Sequence, residues 1–387
     1  MKQTAPAAGT SARAEVSGSH RRRNSSDRVL LWVSLALLFF GLAMVYSASM
    51  VVAREEHGSG FYYFLKQAMF AAGGIIMMFC GMKINYRRLA SPKFLLLTLG
   101  LALGALLAVF LFPAANGARR WIRFAGVTLQ PSEFVKVLLV IFVASHVSRR
   151  QEVINELRRG LLPCLSIVGL FALLIFREPD LGTSGFIVLT TAILLFAAGL
   201  RLSYLASAGL AAIPAAYVLV LSSAYRRNRI LAFWNPFADS QGIGYQIRQS
   251  LITVGSGGWS GTGLAAGKQK LFFLPMPHTD FIYAVIGEEL GLLGCLLVLV
   301  LFLVFFWRGL RIALRAPDAF GRYLALGLTS MVVLQALINV SVVLSLVPNK
   351  GLPLPFISMG GSSLMATLLS VGLLLNISSR LNDRIEL

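Results

Sequence analysis

Charge is what this sequence lacks most. Only 13% of its 387 residues are Asp, Glu, Lys or Arg, 57% are hydrophobic, and mean hydropathy is +0.75. A water-soluble fold carries about a quarter of its residues charged to cover its surface, so that class is excluded. Cysteine is scarce as well. The three present (Cys80, Cys164, Cys295) lie inside apolar runs at no metal-like spacing, which argues against a disulfide framework and a zinc site and leaves them as core residues. Also missing are a Ser/His/Asp order, a nucleophile elbow, and the Walker and Rossmann glycine patterns that follow a strand. Asp and Glu number only 16, so each one near an apolar run can be weighed singly.

What the chain has in abundance is long apolar runs. Stretches of about 20 apolar residues, enough to cross a bilayer as a helix, are predicted at 29–51, 61–82, 93–112, 132–148, 161–176, 182–200, 203–222, 279–307, 322–347 and 363–377. The expected fold is an all-α polytopic membrane protein of ten transmembrane helices, one domain over 29–378, with a large loop at 223–278 between the seventh and eighth spans. Residues 1–28, polar and containing HRRR, read as a disordered basic tail, and 379–387 as a short C-terminal tail. The first run exceeds the apolar part of a signal peptide and is expected to be retained.

Ten crossings put both termini on one side, and the basic residues say which. Of 35 Lys and Arg, 21 lie in the tails and the loops on their side, 12 lie in the opposite loops, and Lys66 and Lys136 fall inside runs. Positive charge accumulates in cytoplasmic loops, so both termini are expected in the cytoplasm. The 12 on the other face cluster in NGARRWIR (116–123) and between Tyr225 and Lys270. Each alone reads as a solvated loop charge; as a group that runs against the positive-inside trend they point to an anionic ligand on the outer face. Spans beginning on that face also aim the positive ends of their dipoles at it. Their starts are marked: QPSE (130–133), with Pro near the first helical position, REPDLGTS (177–184), HTD (278–280) and MGGSS (359–363). Gly360 and Gly361 suit either backbone N–H approach to a phosphate or simple close packing.

The carboxylates divide in the same way. Asp27 and Asp318 fall with the tail and cytoplasmic-loop acids, which need no special account, and Glu55, Glu56 and Asp239 read as surface residues. Glu133 and Lys136, three apart, read as an intramembrane ion pair that positions helices. Glu178 and Asp180 flank Pro179 and are expected to form a local network with Arg177. On a helix, Glu288 lies nearer the face of Asp280 than Glu289 does, so Glu288 is expected to share its cavity. An aspartate costs roughly 2.5–3.5 kcal/mol at the centre of a membrane helix, less near its ends. Two readings of Asp280 therefore stand on the residues alone: a first-turn residue of the eighth span, with Thr279 as cap, or a partly desolvated carboxylate at a cavity mouth, able to take a proton.

NGARRWI (116–122), QPSE, REPDLGTS, GYQIRQSLITVGSGGWSGTG (244–263), LPMPHTDFI (274–282) with GEELG (287–291), and KGLPLPFISMGGSS (350–363) occur in this order. With them the chain resembles the SEDS family (shape, elongation, division, sporulation) over nearly its whole membrane region. NGARRWI, the KGL at 350–352 and the basic N-terminal tail are similar to the division-type branch. Met276 and Pro277 stand where the family often has Glu and Ala, and Met359 where Tyr is common.

The resemblance implies a peptidoglycan glycosyltransferase of the bacterial cytoplasmic membrane, acting at the division septum on lipid II, an undecaprenyl-pyrophosphate disaccharide-pentapeptide. It implies a class B penicillin-binding protein (a transpeptidase) and other divisome proteins as partners. No nucleic acid is expected, no cofactor or metal-ligand set is assigned, and a divalent cation on the pyrophosphate is left open. The aspartate of the family's HTDF motif, here Asp280, is implied as the catalytic residue. A β-1,4 link made from an α-linked sugar inverts the anomeric carbon, so Asp280 is expected to deprotonate the acceptor hydroxyl. Arg119, Arg120, Arg123, Lys268, Lys270 and Lys350 are expected to meet the leaving pyrophosphate. Glu133, Lys136, His278, Thr279, Glu288, Ser362 and Ser363 complete the expected substrate-binding set. The 223–278 loop is expected to serve as lid and acceptor platform, its glycines (Gly255, Gly257, Gly258, Gly261, Gly263) suiting either motion or tight turns. The competing expectations are a lipid II flippase, kept open by Lys136 and Glu288, and a non-catalytic division scaffold.

Overall fold

The computed structural model describes residues 26–113, 118–124, 127–235, 242–268, 277–348 and 351–381. Each predicted run falls on a helix: α1 (Arg28–His57), α2 (Tyr62–Lys83), the single turn α3 (Tyr86–Leu89), α4 (Pro92–Val109), α5 (Pro131–Arg149), α6 (Leu162–Arg177), α7 (Leu181–Ala197), α8 (Leu202–Leu221), α9 (Ala224–Trp234), α10 (Ile243–Ser256), α11 (Ile282–Arg315), α12 (Ala319–Val343) and α13 (Gly361–Ser379). A small antiparallel hairpin, β1 (Ile122–Phe124) and β2 (Val127–Leu129), precedes α5 and pairs Ile122 with Leu129. Among the described residues nine helices are long and apolar enough to cross a membrane, α6 among them with the π turn Leu157–Leu161 at its start. The run predicted at 182–200 is α7, apolar but only 17 residues long, so the count of ten spans stands one short by length.

Helices that are apolar all round but differ in burial sort into centre and rim. In their most apolar stretches α13 is 83% buried, α5 78% and α12 67%, whereas α4 is 17% and α8 0% buried. The first three form the core and α4 and α8 the rim. Lipid is as apolar as leucine, so close helix contact inside a membrane comes from small residues and interhelical polar bonds. The α2–α13 contact shows both. A Cβ on Gly372 would lie 2.2 Å from the Met78 carbonyl oxygen, and one on Gly81 3.2 Å from the Gly372 carbonyl carbon. Asn376 of α13 donates to Met82 O and accepts from Tyr86 N.

At the end of the bundle where α1 starts and α13 finishes, two acids expected to be incidental are structural. Asp27 accepts from Leu30 N, capping α1, and its carboxylate is held by Arg308 Nε at 2.9 Å and Nη2 at 2.5 Å. Asp318 caps α12 through Gly321 N and takes hydrogen bonds from Tyr86 Oη and Arg87 Nε. Asp27, within the stretch 1–28 expected to be a tail, is therefore tied to the helices.

Where it is described, the expected 223–278 loop holds two helices, α9 and α10, followed by the irregular segment 257–268. The two helices are amphipathic rather than uniformly apolar, so a search for membrane spans passes over them. Nor is α11 one continuous helix. Gly291 (φ 64°, ψ −162°) breaks it, and the amides freed there are taken by the preceding segment: Leu292 N donates to Gly258 O and Leu293 N to Trp259 O. Gly257 and Gly261 sit where a Cβ would meet Gly287 O at 1.8 Å and Glu289 O at 2.2 Å. At both positions close backbone approach, rather than either motion or a tight turn, is what the absent side chain permits.

Candidate active site

Asp280 lies at the opposite end of the bundle, beside the start of α13, in a turn before α11. The helix starts at Ile282, and its N-cap, Phe281, makes no side-chain capping bond, so the reading of Asp280 as a first-turn residue capped by Thr279 is corrected. Two carbonyls of this turn are fixed by neighbouring segments. Ser358 Oγ donates to Thr279 O at 2.6 Å, and Asn339 Nδ2 of α12 donates to Asp280 O at 2.9 Å. Met359 N donates to His278 O, and the His278 ring stacks on Tyr63 of α2 at 4.9 Å. The 351–360 segment thus forms one wall: a Cβ on Gly351 would lie 2.7 Å from Asp280 Oδ2. That wall is itself wedged into the core. Phe356 takes a left-handed conformation (φ 65°), its ring against Phe302 and Phe305, and Gly41 of α1 leaves room for its backbone.

The electrostatics of Asp280 come from three elements. Arg229 on α9, Arg120 beside the hairpin and Asp180 at the start of α7 all act on it. The side chain is half-buried, and burial, the largest influence, raises its carboxyl above the usual aspartate value; the two arginines oppose this and Asp180 adds to it. His278 is buried, which lowers its imidazole below the ordinary histidine value.

Arg120, not Arg177, organises the REPDLGTS turn. Its guanidinium donates to Glu178 O and Pro179 O, and Nη1 lies 4.0 Å from Asp180 Oδ2. Asp180 caps α7 by accepting from Thr183 N and Thr183 Oγ1. Glu178 is fully buried, neither carboxylate oxygen has a partner among the described residues, and burial followed by Asp180 pushes it up to about 8.

Other expected site residues have different employment. Glu133 and Lys136 form the expected ion pair at 2.9 Å, and Lys136 Nζ also donates to Gln335 Oε1 at 2.9 Å. Gln335 Nε2 passes the chain on to Pro353 O and Ser363 Oγ. Ser362 Oγ accepts from Gln130 N. The Gly360 amide donates to Gln67, and a Cβ on Gly361 would run into the Phe70 ring, so close packing accounts for Gly361. Glu288, expected beside Asp280, accepts from Lys268 N at 2.7 Å, while Glu289 accepts from Ala265 N and Ser47 Oγ. Both acids fasten the 261–268 segment to α11; the angle that joined Glu288 to Asp280 assumed a helix reaching back to Asp280. Arg119, Arg123 and Lys268 are exposed, Arg119 donating to Phe110 O. Lys270 and Lys350 lie outside the described residues.

Sequence reading passed over Arg229, Gln335 and Asn339. The first was one basic residue among several in a loop. The other two stood out as amides one helical turn apart within an apolar span, a signal that was present and unused.

The fold and this end of it define a class: a polytopic α-helical membrane protein in which a half-buried carboxylate, flanked by guanidinium groups, sits at one end of the bundle. The family model of FtsW, RodA and SpoVE, described as cell cycle protein, matches residues 28–383. A probable peptidoglycan glycosyltransferase FtsW of Geobacter sulfurreducens is 43% identical over 361 residues, covering 92% of this chain and 95% of the relative. Stage V sporulation protein E of Bacillus subtilis is 43% identical over 361 residues, covering 92% and 98%. A solved chain from a study of structural coordination of polymerization and crosslinking by a peptidoglycan synthase complex aligns with TM-score 0.75 and 25% identity, covering 93% of this chain and 99% of that one. The chain belongs to the FtsW/RodA/SpoVE family, the SEDS proteins, and is a protein of the bacterial inner membrane.

Proposed function

We propose that this chain is a peptidoglycan glycosyltransferase of the FtsW type, polymerising lipid II into β-1,4 glycan strands during septal wall synthesis, with Asp280 as base of an inverting displacement. Glycosyltransferase activity rests on relatives of that name that align over nearly the full chain. The role of Asp280 rests on one observation: it is a half-buried carboxylate with Arg120 and Arg229 acting on it at one end of the bundle.

In this reading that end faces outward and both termini are cytoplasmic. Asp280 takes the proton of the acceptor's 4-hydroxyl as that oxygen attacks the donor's anomeric carbon. The bond from that carbon to the pyrophosphate oxygen breaks, and configuration inverts. Arg120 and Arg229, with the exposed Arg119, Arg123 and Lys268, offset the charge gathering on the leaving group. Among the described residues no three His, Cys, Asp or Glu side chains are grouped to hold a metal, so no step is assigned to a divalent cation. A class B penicillin-binding protein is the proposed partner, a reading supported by the likeness to a chain from a synthase complex.

A flippase needs ionisable groups open to a path across the membrane. Here Lys136 is engaged by Glu133 and Gln335, Glu288 and Glu289 by backbone amides, and the amides freed by the break in α11 by Gly258 and Trp259. That pairing favours the enzyme. The test gives purified protein, with and without the transpeptidase, lipid II in detergent. Glycan chains from the parent and none from Asp280→Asn are expected; polymer at the parental rate from the variant would overturn the assignment of the base.

A further inference from the structure

We infer that Asn339 is a positioning residue for Asp280, holding with one side-chain amide both the peptide that carries the carboxylate and the wall the carboxylate rests on. The inference builds on the reading of Asp280 as base. Asn339 is 1% exposed on α12, and its Nδ2 donates to Asp280 O at 2.9 Å and to Leu352 O at 2.8 Å. The Asp280 carbonyl is not drawn into α11, whose first turn closes on Phe281 O through Ala284 N and Val285 N. Without Asn339 the peptide of Asp280 loses its tie to the core.

The second bond is as important as the first. Leu352 follows Gly351, whose Cα faces Asp280 Oδ2 so closely that a Cβ there would lie 2.7 Å from it. One amide therefore sets the spacing between the carboxylate's backbone and the surface that limits its swing. Asn339 spends both donor hydrogens on these carbonyls, and its Oδ1 is buried with no partner among the described residues. A buried acceptor left unsatisfied is unfavourable, so this orientation is held by the two donations. One turn earlier on α12, Gln335 grips Pro353 O in the same manner and is in turn held by Lys136. The Glu133–Lys136 pair thus acts as the buried foot of a clamp on residues 352–353, which extends its helix-positioning role to the site.

The test compares the full-length protein with Asn339→Leu, close in volume but without donors, and Asn339→Ser, which keeps one donor. Lipid II polymerisation is followed against substrate concentration and pH. If Asn339 positions the base, Asn339→Leu lowers kcat about tenfold or more and leaves KM for lipid II within about twofold, with Asn339→Ser between it and the parent. The acid limb of kcat also moves to lower pH, because a loosened turn admits water to a carboxyl that burial had raised; the charged groups facing it, Arg229, Arg120 and Asp180, are unchanged. A parental kcat, or a lowered kcat with the acid limb in place, overturns the inference. If the leucine variant does not fold, the serine variant is judged by the same two readouts. Asp280→Asn, run alongside, separates the two failures: polymer at the parental rate from it sinks the base, whereas an inactive Asp280→Asn beside parental Asn339 variants sinks only the role of Asn339.

Discussion

At Asp280 burial and charge pull in opposite directions, and burial wins: the carboxyl is raised although two arginines act on it. A base must be ionised to work, so kcat is expected to fall as pH drops through a midpoint above the ordinary aspartate value, while Asp280→Asn is expected to cost about 10²–10⁴-fold, the usual share of general-base catalysis. A pH–rate profile of lipid II polymerisation checks the midpoint. Glu178 offers a separate reading in stability. Its folded value of about 8 lies above the ordinary 4.5, so between those values the folded chain holds a proton that the unfolded chain releases. Its contribution to stability is full below about pH 4.5, declines as pH rises, and is lost above about pH 8. The parent's melting temperature in detergent should fall across that window and that of Glu178→Gln should fall less; parallel curves would show that Glu178 does not titrate there. Asp280 stood out in the sequence as an acid just before an apolar run, but the residues alone left two readings of it, and the expectation that it is catalytic came with the family resemblance. Arg229 did not stand out, because nothing in a basic loop says which arginine a fold will turn inward.

Elements carry a different kind of information. The start of α5 at Pro131 was readable because proline fits a first helical position and little else in a span. The break in α11 was hidden, since GEELG reads as ordinary helix until its last glycine is found at φ 64°. That position permits a sharp prediction. An alanine at Gly291 (φ 64°, ψ −162°) would sit in a backbone region open essentially to glycine alone, at a cost of roughly 1–3 kcal/mol, and its Cβ would lie 2.4 Å from Gly261 N and 2.6 Å from Trp259 O. The backbone atoms facing it cannot rotate away, so Gly291→Ala is expected to lower the melting temperature and reduce activity together. Gly255→Ala is the matched control, because nothing lies within 4 Å of a Cβ there. Equal melting temperatures for the two variants would mean that α11 tolerates a straight course through Gly291. The α9–α10 region escaped prediction for a related reason: amphipathic helices carry no continuous apolar run, and that run is the signal that marks a span.

For the molecule as a whole, every functional proposal depends on which end faces outward. The two ends differ in chemistry. Asp27 and Arg308 close one of them, joined through Asp27 N and Ser378 Oγ to the last helix, and Asp280 with Arg120 and Arg229 mark the other. The charge count assigned the first to the cytoplasm from sequence alone. Two exposed loop positions, Ser59 between α1 and α2 and Glu152 after α5, lie at opposite ends. In a cysteine-free parent, Ser59→Cys should react with a membrane-impermeant maleimide in intact spheroplasts, and Glu152→Cys only after permeabilisation. Labelling of Glu152→Cys first would invert the protein and turn Asp280 toward the cytoplasm, where polymerisation on the outer face could not occur. The expected pattern sets the carboxylate, its two guanidinium neighbours and the exposed Arg119, Arg123 and Lys268 on the side where a lipid-linked pyrophosphate donor has its sugars, with the polyprenyl chain left among the helices.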